Sequence, residues 1–326
     1  MLVSIITPNF NSSSFIHATK QSILDQTYSN WEWLVVDDGS TDDSTEIIQE
    51  FSKQDNRIHL LERGKGLKGA STCRNVGIEN AKGDYLFFLD ADDILAPHCL
   101  ESRLRTMSEH PDLDFGVFNM GMFQNEIGDV KEVINLYSEK PEGYLEMFLS
   151  YKLPWQTSCP IWKSSFLREN DIRFSEKYLR LQDPEFHAKV LLKYAPQFKV
   201  FKEHGPDCYY RLPNGIKKST ESSLNNTTVS TLLFYSEIND LIKEKHLEKQ
   251  YGPYLDQFVI NIFHSQLFYT RLNAIKPVTN LYGKMNATRP ITNLSKYRVL
   301  LFAFFNYTGL TFVKGAGITR LWNSSS

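Results

Sequence analysis

What the 326-residue sequence lacks removes several classes of protein at once. No apolar run reaches the length needed to cross a bilayer. The opening MLVSIITPNF has no basic stretch ahead of its apolar residues, which argues against a signal peptide and predicts a cytoplasmic chain whose first strand starts almost at Met1. Cysteine is scarce. Cys73, Cys99, Cys159 and Cys208 lie far apart, match no metal-ligand spacing and read as reduced thiols. His187, His204 and the other histidines show no ligand spacing either. There is no internal repeat, and no low-complexity tract beyond the terminal NSSS.

Acidic residues are missing from one region only. After Asp256 there is no Asp or Glu, while Arg271, Lys276, Lys284, Arg289, Lys296, Arg298, Lys314 and Arg320 remain. That region carries +8 and the first 256 residues −10, within a net charge of −2. Hydrophobic residues (41%) and charged residues (23%) are in ordinary globular proportion, enough for one large domain or two.

The first hundred residues alternate strand and helix. LVSIITP, broken by Pro8, reads as a strand, as do WEWLVVDDG, RIHLLER and DYLFFLD. SSSFIHATKQSILDQ reads as a serine-capped helix with Ile16, Thr19, Ile23 and Gln26 on one stripe. STDDSTEIIQEFSKQ and GASTCRNVGIENAKG, the latter ended by Gly83, read as two more. This order predicts an α/β fold, a Rossmann-like parallel sheet with helices on both faces. Ligands of such sheets lie at the carboxyl ends of the strands, which here carry Thr7, Pro8, Asn9, Phe10 and Asn11, then Asp37 and Asp38, then Asp90, Asp92 and Asp93. A helix over PHCLESRLRTMSEH, one strand over DFGVFNM and a loop-rich stretch to about residue 180 follow, with helices beyond residue 225.

The last of those acidic groups, in FFLDADD, is the least expected end for a buried strand. Asp92 or Asp93 could cap the following helix, but a cap occupies one carboxylate and leaves two. If the segment stays extended, alternation turns Asp90 and Asp92 toward one spot, where a cation would offset their repulsion. An all-oxygen site suits Mn²⁺ or Mg²⁺ shared with a substrate diphosphate.

Taken together, SIITPNFN, LVVDDGSTDDS and RNVGIENAKGDYLFFLDADD resemble the nucleotide-sugar-binding half of family 2 of the glycosyltransferases, the inverting enzymes of GT-A fold. The resemblance implies a D-x-D motif in which Asp92 ligates the metal and Asp90 contacts the ribose or the metal's water shell. It implies that Asp38 reads the base edge, that Thr7 to Asn11 lie against base and ribose, and that Arg74 sits near the donor's phosphates. It also implies a nucleotide-sugar donor, with a UDP-hexose or UDP-N-acetylhexosamine the commonest type, and a glycan or lipid-linked acceptor. No nucleic-acid partner is expected.

Inversion requires a base opposite the leaving diphosphate. Asp183, in LRLQDPEFHAK, is the candidate, although similar enzymes carry Glu-Asp where this chain has Gln182-Asp183. Asp183 followed by Pro184 also fits a helix N-cap, and one carboxylate can serve both roles. Arg211, in CYYRLPNGIKKST, resembles a residue that approaches the diphosphate, and NGIKKSTESS suits a mobile lid. A sugar-phosphate nucleotidyltransferase is a rival reading, but TPNFNSSS has neither the Gly nor the Lys of its phosphate loop. A receiver-like Mg²⁺-binding domain is the other, and no partner Lys can be placed for it. The expected division is a catalytic domain over 1–220, with halves 1–100 and 101–220, and a helical, basic region over 221–326. Its aromatic, acid-free stretch from 257 predicts either core packing or peripheral contact with an anionic membrane on the cytoplasmic face.

Overall fold

The computed structural model describes residues 1–213, 221–269, 283–285 and 287. Four strands come first, separated by helices: β1 (Val3–Asn9), α1 (Ile16–Leu24), β2 (Trp31–Asp37), α2 (Ser44–Gln54), β3 (Ile58–Glu62), α3 (Ala70–Asn80) and β4 (Tyr85–Phe88). After them come β5 (Ile94–Leu95), α4 (Cys99–Glu109), β6 (Phe115–Val117), β7 (Met120–Phe123), α5 (Pro141–Leu149), β8 (Pro160–Lys163) and α6 (Ser164–Glu169). The remaining elements are α7 (Gln182–Tyr194), β9 (Phe198–Val200), β10 (Cys208–Arg211), α8 (Glu221–Glu244) and α9 (Glu248–Tyr269).

The α/β expectation holds, with one qualification. The seven-stranded sheet has the order β3-β2-β1-β4-β8-β6-β9 and is mixed, because β8 runs antiparallel to both β4 and β6. The chain moves outward from β1 to β3 and then returns to β4 on the other side of β1. The switch in strand order therefore lies between β1 and β4, where such sheets bind ligands. A second sheet, β5-β10-β7, stands beside it.

Sequence explains most of these elements. Strands β1, β2 and β4 are buried and mostly apolar, as strands covered on both faces should be. Pro8 does not break β1 as expected. The pairing of β1 with β4 ends at Ile6, so beyond it only β2 flanks Pro8, and a missing N–H is tolerated there. Ile16, Thr19, Ile23 and Gln26 are buried as the stripe predicted, but no serine side chain caps α1, whose N-cap is Phe15. Helix α3 lies directly on β1: a Cβ on Gly77 would fall 2.2 Å from Ile6. Gly83 does not cap α3, which ends at Asn80 with Ala81 as its C-cap.

The single strand expected over 114–120 is instead two short ones in different sheets, β6 and β7. Asn135 holds the break, its Oδ1 accepting the Met120 N–H at 2.8 Å and its Nδ2 donating to the Phe118 carbonyl at 3.1 Å.

The chain divides into two units, Met1–Phe148 with Lys152–Thr220, and Leu149–Tyr151 with Glu221–Ser326. In the second, Phe234 of α8 stacks on Phe258 of α9 with centroids 4.8 Å apart, and Tyr151 meets the same ring edge-on at 5.6 Å. Among the described residues no helix is long and apolar enough to cross a membrane. Residues 214–220 of the expected lid, and the aromatic stretch over 295–322, lie outside the described residues.

Candidate active site

The carboxyl ends of β1 and β2 are built around Asn9. Its Nδ2 donates to Asp37 Oδ1 at 2.8 Å, and its Oδ1 accepts the Ser12 hydroxyl. Asp37 also accepts the Gly39 and Ser40 N–H groups at 2.9 and 3.0 Å, so it fastens the turn after β2. Asp38 plays a different part. It is buried, its Oδ1 lies 2.6 Å from Arg63 Nε, and the same oxygen accepts the Gly69 N–H at 3.0 Å. Gly69 has a φ of +140°, a conformation L side chains rarely adopt, at the mouth of α3.

The five residues from Thr7 to Asn11 do not form one surface. Thr7 and Asn9 are wholly buried, and the Thr7 hydroxyl accepts the Trp33 indole N–H at 2.8 Å. Their side chains organise the rim from beneath. Phe10, 48% exposed, and Asn11, with φ 52°, stand on top of it. Lys68 Nζ lies 3.9 Å from the Phe10 ring centroid.

The acidic segment departs from the geometry assumed for it. Strand β4 ends at Phe88, and the Asp93 N–H donates to the Asp90 carbonyl at 3.1 Å. Asp90 to Asp93 therefore form a turn, so strand alternation does not align Asp90 with Asp92. Neither Asp92 nor Asp93 caps α4, whose N-cap is His98. The turn is gripped from both sides. Thr19 donates to the Ala91 and Asp93 carbonyls at 2.8 and 2.9 Å. Arg211 donates its backbone N–H to Asp93 Oδ1 at 3.2 Å and its Nε to the Asp92 carbonyl at 3.0 Å. Asp93 is buried, and its Oδ2 has no hydrogen-bond partner. Burial, then the charges of Asp90 and Asp92, push its carboxyl well above the usual carboxylate range.

Arg74 crosses from this turn to α7. Its Nη2 donates to Asp90 Oδ1 at 2.7 Å, its Nη1 donates to Gln182 Oε1 at 3.3 Å, and its Nε is buried without a partner. Gln182 Nε2 in turn donates to the Tyr178 carbonyl at 2.9 Å. Asp183 is not the N-cap it was expected to be. Helix α7 begins two residues earlier, behind Leu181 in the left-handed conformation, and has no side-chain cap. Its carboxylate is thus spared from capping, and Oδ1 accepts the Thr157 hydroxyl. Burial raises the Asp183 carboxyl above its usual range, while Arg74 and Thr157 pull it back. Behind it His187 contacts the Asp183 carbonyl through Nδ1 at 2.8 Å and stacks on Phe148. Burial takes this histidine down to about 3, so it is neutral.

The sequence-predicted residues Arg74, Asp90, Asp92, Asp183 and Arg211 thus converge, with Asp38 and Phe10 along the same rim. Arg63, Thr157 and Tyr210 were missed. Burial, then the charges of Asp93, Asp92, Asp90 and Asp183, push the Tyr210 hydroxyl pKa up. Its neighbour Arg211 in CYYR was the available signal.

The sequence model described as Glycosyl transferase family 2 matches residues 4–167, half of the chain. The chain belongs to glycosyltransferase family 2. Over 108 residues it is 43% identical to the putative teichuronic acid biosynthesis glycosyltransferase TuaG of Bacillus subtilis, covering 33% of this chain and 42% of that protein. Over 106 residues it is 44% identical to WfgD of Escherichia coli, named as a UDP-Glc:α-D-GlcNAc-diphosphoundecaprenol β-1,3-glucosyltransferase, with 32% and 41% covered. The match spans about two fifths of these relatives' length. Among solved structures, S. aureus TarS 1–349 in complex with UDP-GlcNAc superposes with a TM-score of 0.67 at 19% identity, covering 94% of this chain and 89% of that one. A Pyrobaculum calidifontis mannosyltransferase in complex with GDP-Man and Mn²⁺ gives 0.51 at 15% identity, with 94% and 86% covered. The fold of this family 2 chain is therefore GT-A, and membership separates it from the nucleotidyltransferase and receiver-like alternatives.

Proposed function

We propose that this family 2 chain is an inverting glycosyltransferase, moving a sugar from a nucleotide-diphosphate donor to a hydroxyl of a glycan or lipid-linked acceptor in cell-surface polysaccharide synthesis. The observation that carries the reading is Asp183: a carboxylate raised by burial, oriented by Thr157, and near the Arg74–Asp90 pair. In this reading Asp183 takes the acceptor hydroxyl's proton as that oxygen attacks the anomeric carbon opposite the leaving diphosphate. Arg74 and Arg211 lie where charge would build on the departing phosphates. Phe10 and Asn11 offer the exposed rim for base and ribose, and Asp38, with Arg63, flanks the base edge. Pro8 stiffens that rim.

A divalent ion, Mn²⁺ or Mg²⁺, fits the acidic turn. The Asp93 Oδ2 atom is buried without a partner beside Asp92. Among the described residues no group of three or more His, Cys, Asp or Glu side chains could hold a metal alone, so an ion here would need substrate phosphates to complete its coordination. Asp92 would be its ligand, and when bound it would offset negative charge on the diphosphate.

UDP is favoured as the nucleotide by the names of WfgD and of the TarS complex, and a diphosphoundecaprenol-linked acceptor by the name of WfgD. We place the catalytic domain over 1–220 and a helical region over 221–326 that touches the cytoplasmic face of an anionic membrane through 257–326. Thermal shift with UDP-, GDP- and dTDP-sugars, each with and without Mn²⁺, tests the donor reading, because a ligand of the folded state raises its stability. A Mn²⁺-dependent rise with UDP-sugars is expected; no rise with any of them would sink it. Sedimentation with anionic and neutral liposomes tests the membrane contact: equal, negligible binding at low salt would remove it.

A further inference from the structure

Arg103, in the middle of α4, is wholly buried and touches none of the rim residues, yet it is joined to both sides of the rim. Its Nε and Nη2 donate to the two oxygens of Asp207 at 2.9 and 2.6 Å, a forked pair. Its Nη1 donates to the carbonyls of Ser158 and Cys159 at 3.2 and 3.1 Å. The guanidinium also lies 4.7 Å from the Phe87 ring centroid and 5.0 Å from that of Phe118. Every one of these partners is buried. Burial works against the charged guanidinium, and the Asp207 carboxylate more than offsets it.

The partners matter because each is next to a segment that shapes the rim. Asp207 immediately precedes β10, and its carbonyl accepts the Ala96 N–H at 2.8 Å. Strand β10 pairs antiparallel with β5, Cys208 opposite Leu95 and Tyr209 opposite Ile94. At its far end Arg211 grips Asp92 and Asp93. The other arm is shorter. Ser158 directly follows Thr157, whose hydroxyl donates to Asp183. One side chain therefore fixes the strand that shapes the acidic turn and the loop that orients the base. A purely structural ion pair would need neither route, and buried pairs often contribute little to stability against apolar replacements of the same volume.

We propose that Arg103 is a positioning residue for sugar transfer, coupling the acidic turn, through Asp207 and β10, to the Thr157–Asp183 pair, through the Ser158 and Cys159 carbonyls. This rests on the glycosyltransferase reading above. Arg103→Lys keeps the charge and loses the fork. Its expected outcome is about tenfold weaker Mn²⁺-dependent donor binding and about 10²-fold lower kcat, the cost of small misplacements at a reacting centre. Because both variants act on one unit, Thr157→Val should lower kcat less in the Arg103→Lys background than in the parent.

The double variant R103M/D207L removes the charges together and is expected to stay folded while showing the same two losses. Ile48→Ala, a cavity in the core under α2 outside the hydrogen bonds of Arg103, should lower Tm and leave kcat and donor affinity of the folded protein unchanged. If R103M/D207L is folded with kcat and donor Kd within twofold of the parent, Arg103 is an ordinary core ion pair and the proposal fails. A parent that binds and transfers no nucleotide sugar would instead overturn the glycosyltransferase reading, and this proposal with it.

Discussion

Arg74 Nη2 lies 2.7 Å from Asp90 Oδ1, so a buried guanidinium on α3 holds an exposed carboxylate at the end of β4. The side chains are 5% and 41% exposed respectively, which makes Asp90 the part of the pair that can meet a ligand. Arg74 Nη1 reaches Gln182 at 3.3 Å, the residue before Asp183. The cation favours the ionised form of Asp183, and in the reading proposed above it also faces an arriving diphosphate. Lysine offers the same charge as a point and cannot span both partners. Arg74→Lys is therefore expected to weaken donor binding about tenfold and to lower kcat as well. Calorimetric titration with UDP-sugar and Mn²⁺ checks the first effect; unchanged affinity would leave Arg74 as a structural bridge.

Asp183→Asn should separate binding from chemistry. The amide keeps an oxygen for the Thr157 hydroxyl, but it cannot take a proton. Transfer is expected to fall by about 10²-fold or more, with the donor-induced thermal shift retained. Near-normal turnover would move the base to another residue.

Much of this site was legible in the sequence, and the misses have physical causes. Apolar runs such as VSII, WLVV and YLFF announce strands buried on both faces, and their carboxyl ends located Asp38, Asp90 and the Phe10 rim without further information. The β6–β7 break was hard to see because FGVFNMGMF is apolar except at Asn119, and the Asn135 amide that interrupts it lies outside that stretch. Asp90 and Asp92 were assigned one face on the assumption of an extended segment; a carbonyl hydrogen bond two residues past the end of β4 turns the chain instead. Asp-Pro was a sound capping signal for α7, but a left-handed Leu181 starts the helix earlier, and nothing local requires that conformation of a leucine. Thr157 meets Asp183 across 26 residues, a separation that no sequence pattern reports.

Asp92→Asn should abolish the Mn²⁺-dependent part of donor binding while leaving the fold in place. The Arg211 Nε contact to this residue uses its carbonyl, so that grip on the turn survives the change. Comparing thermal shifts with and without Mn²⁺ decides the matter: an Asn variant that keeps the full Mn²⁺-dependent shift would place the ion elsewhere.

The pH dependence of transfer follows from the surroundings of Asp183. A base must be ionised to act, and burial raises this carboxyl above its ordinary range. Activity should therefore be lost, as pH falls, at a higher pH than an ordinary solvated carboxylate would give. The Thr157 hydroxyl donates to the ionised form and so holds the pKa down. Hydrogen bonds to charged groups contribute about 1.5–3 kcal/mol, enough to displace a titration visibly. Thr157→Val removes the donor at nearly constant volume, and the acidic limb of kcat against pH should move to higher pH while the basic limb stays. Arg74 acts in the same direction through its charge, so Arg74→Gln should move the limb the same way, whereas Arg74→Lys should move it less. A limb that shifts downward in Thr157→Val, or does not shift in any of the three variants, would mean that the group titrating in kcat is not Asp183.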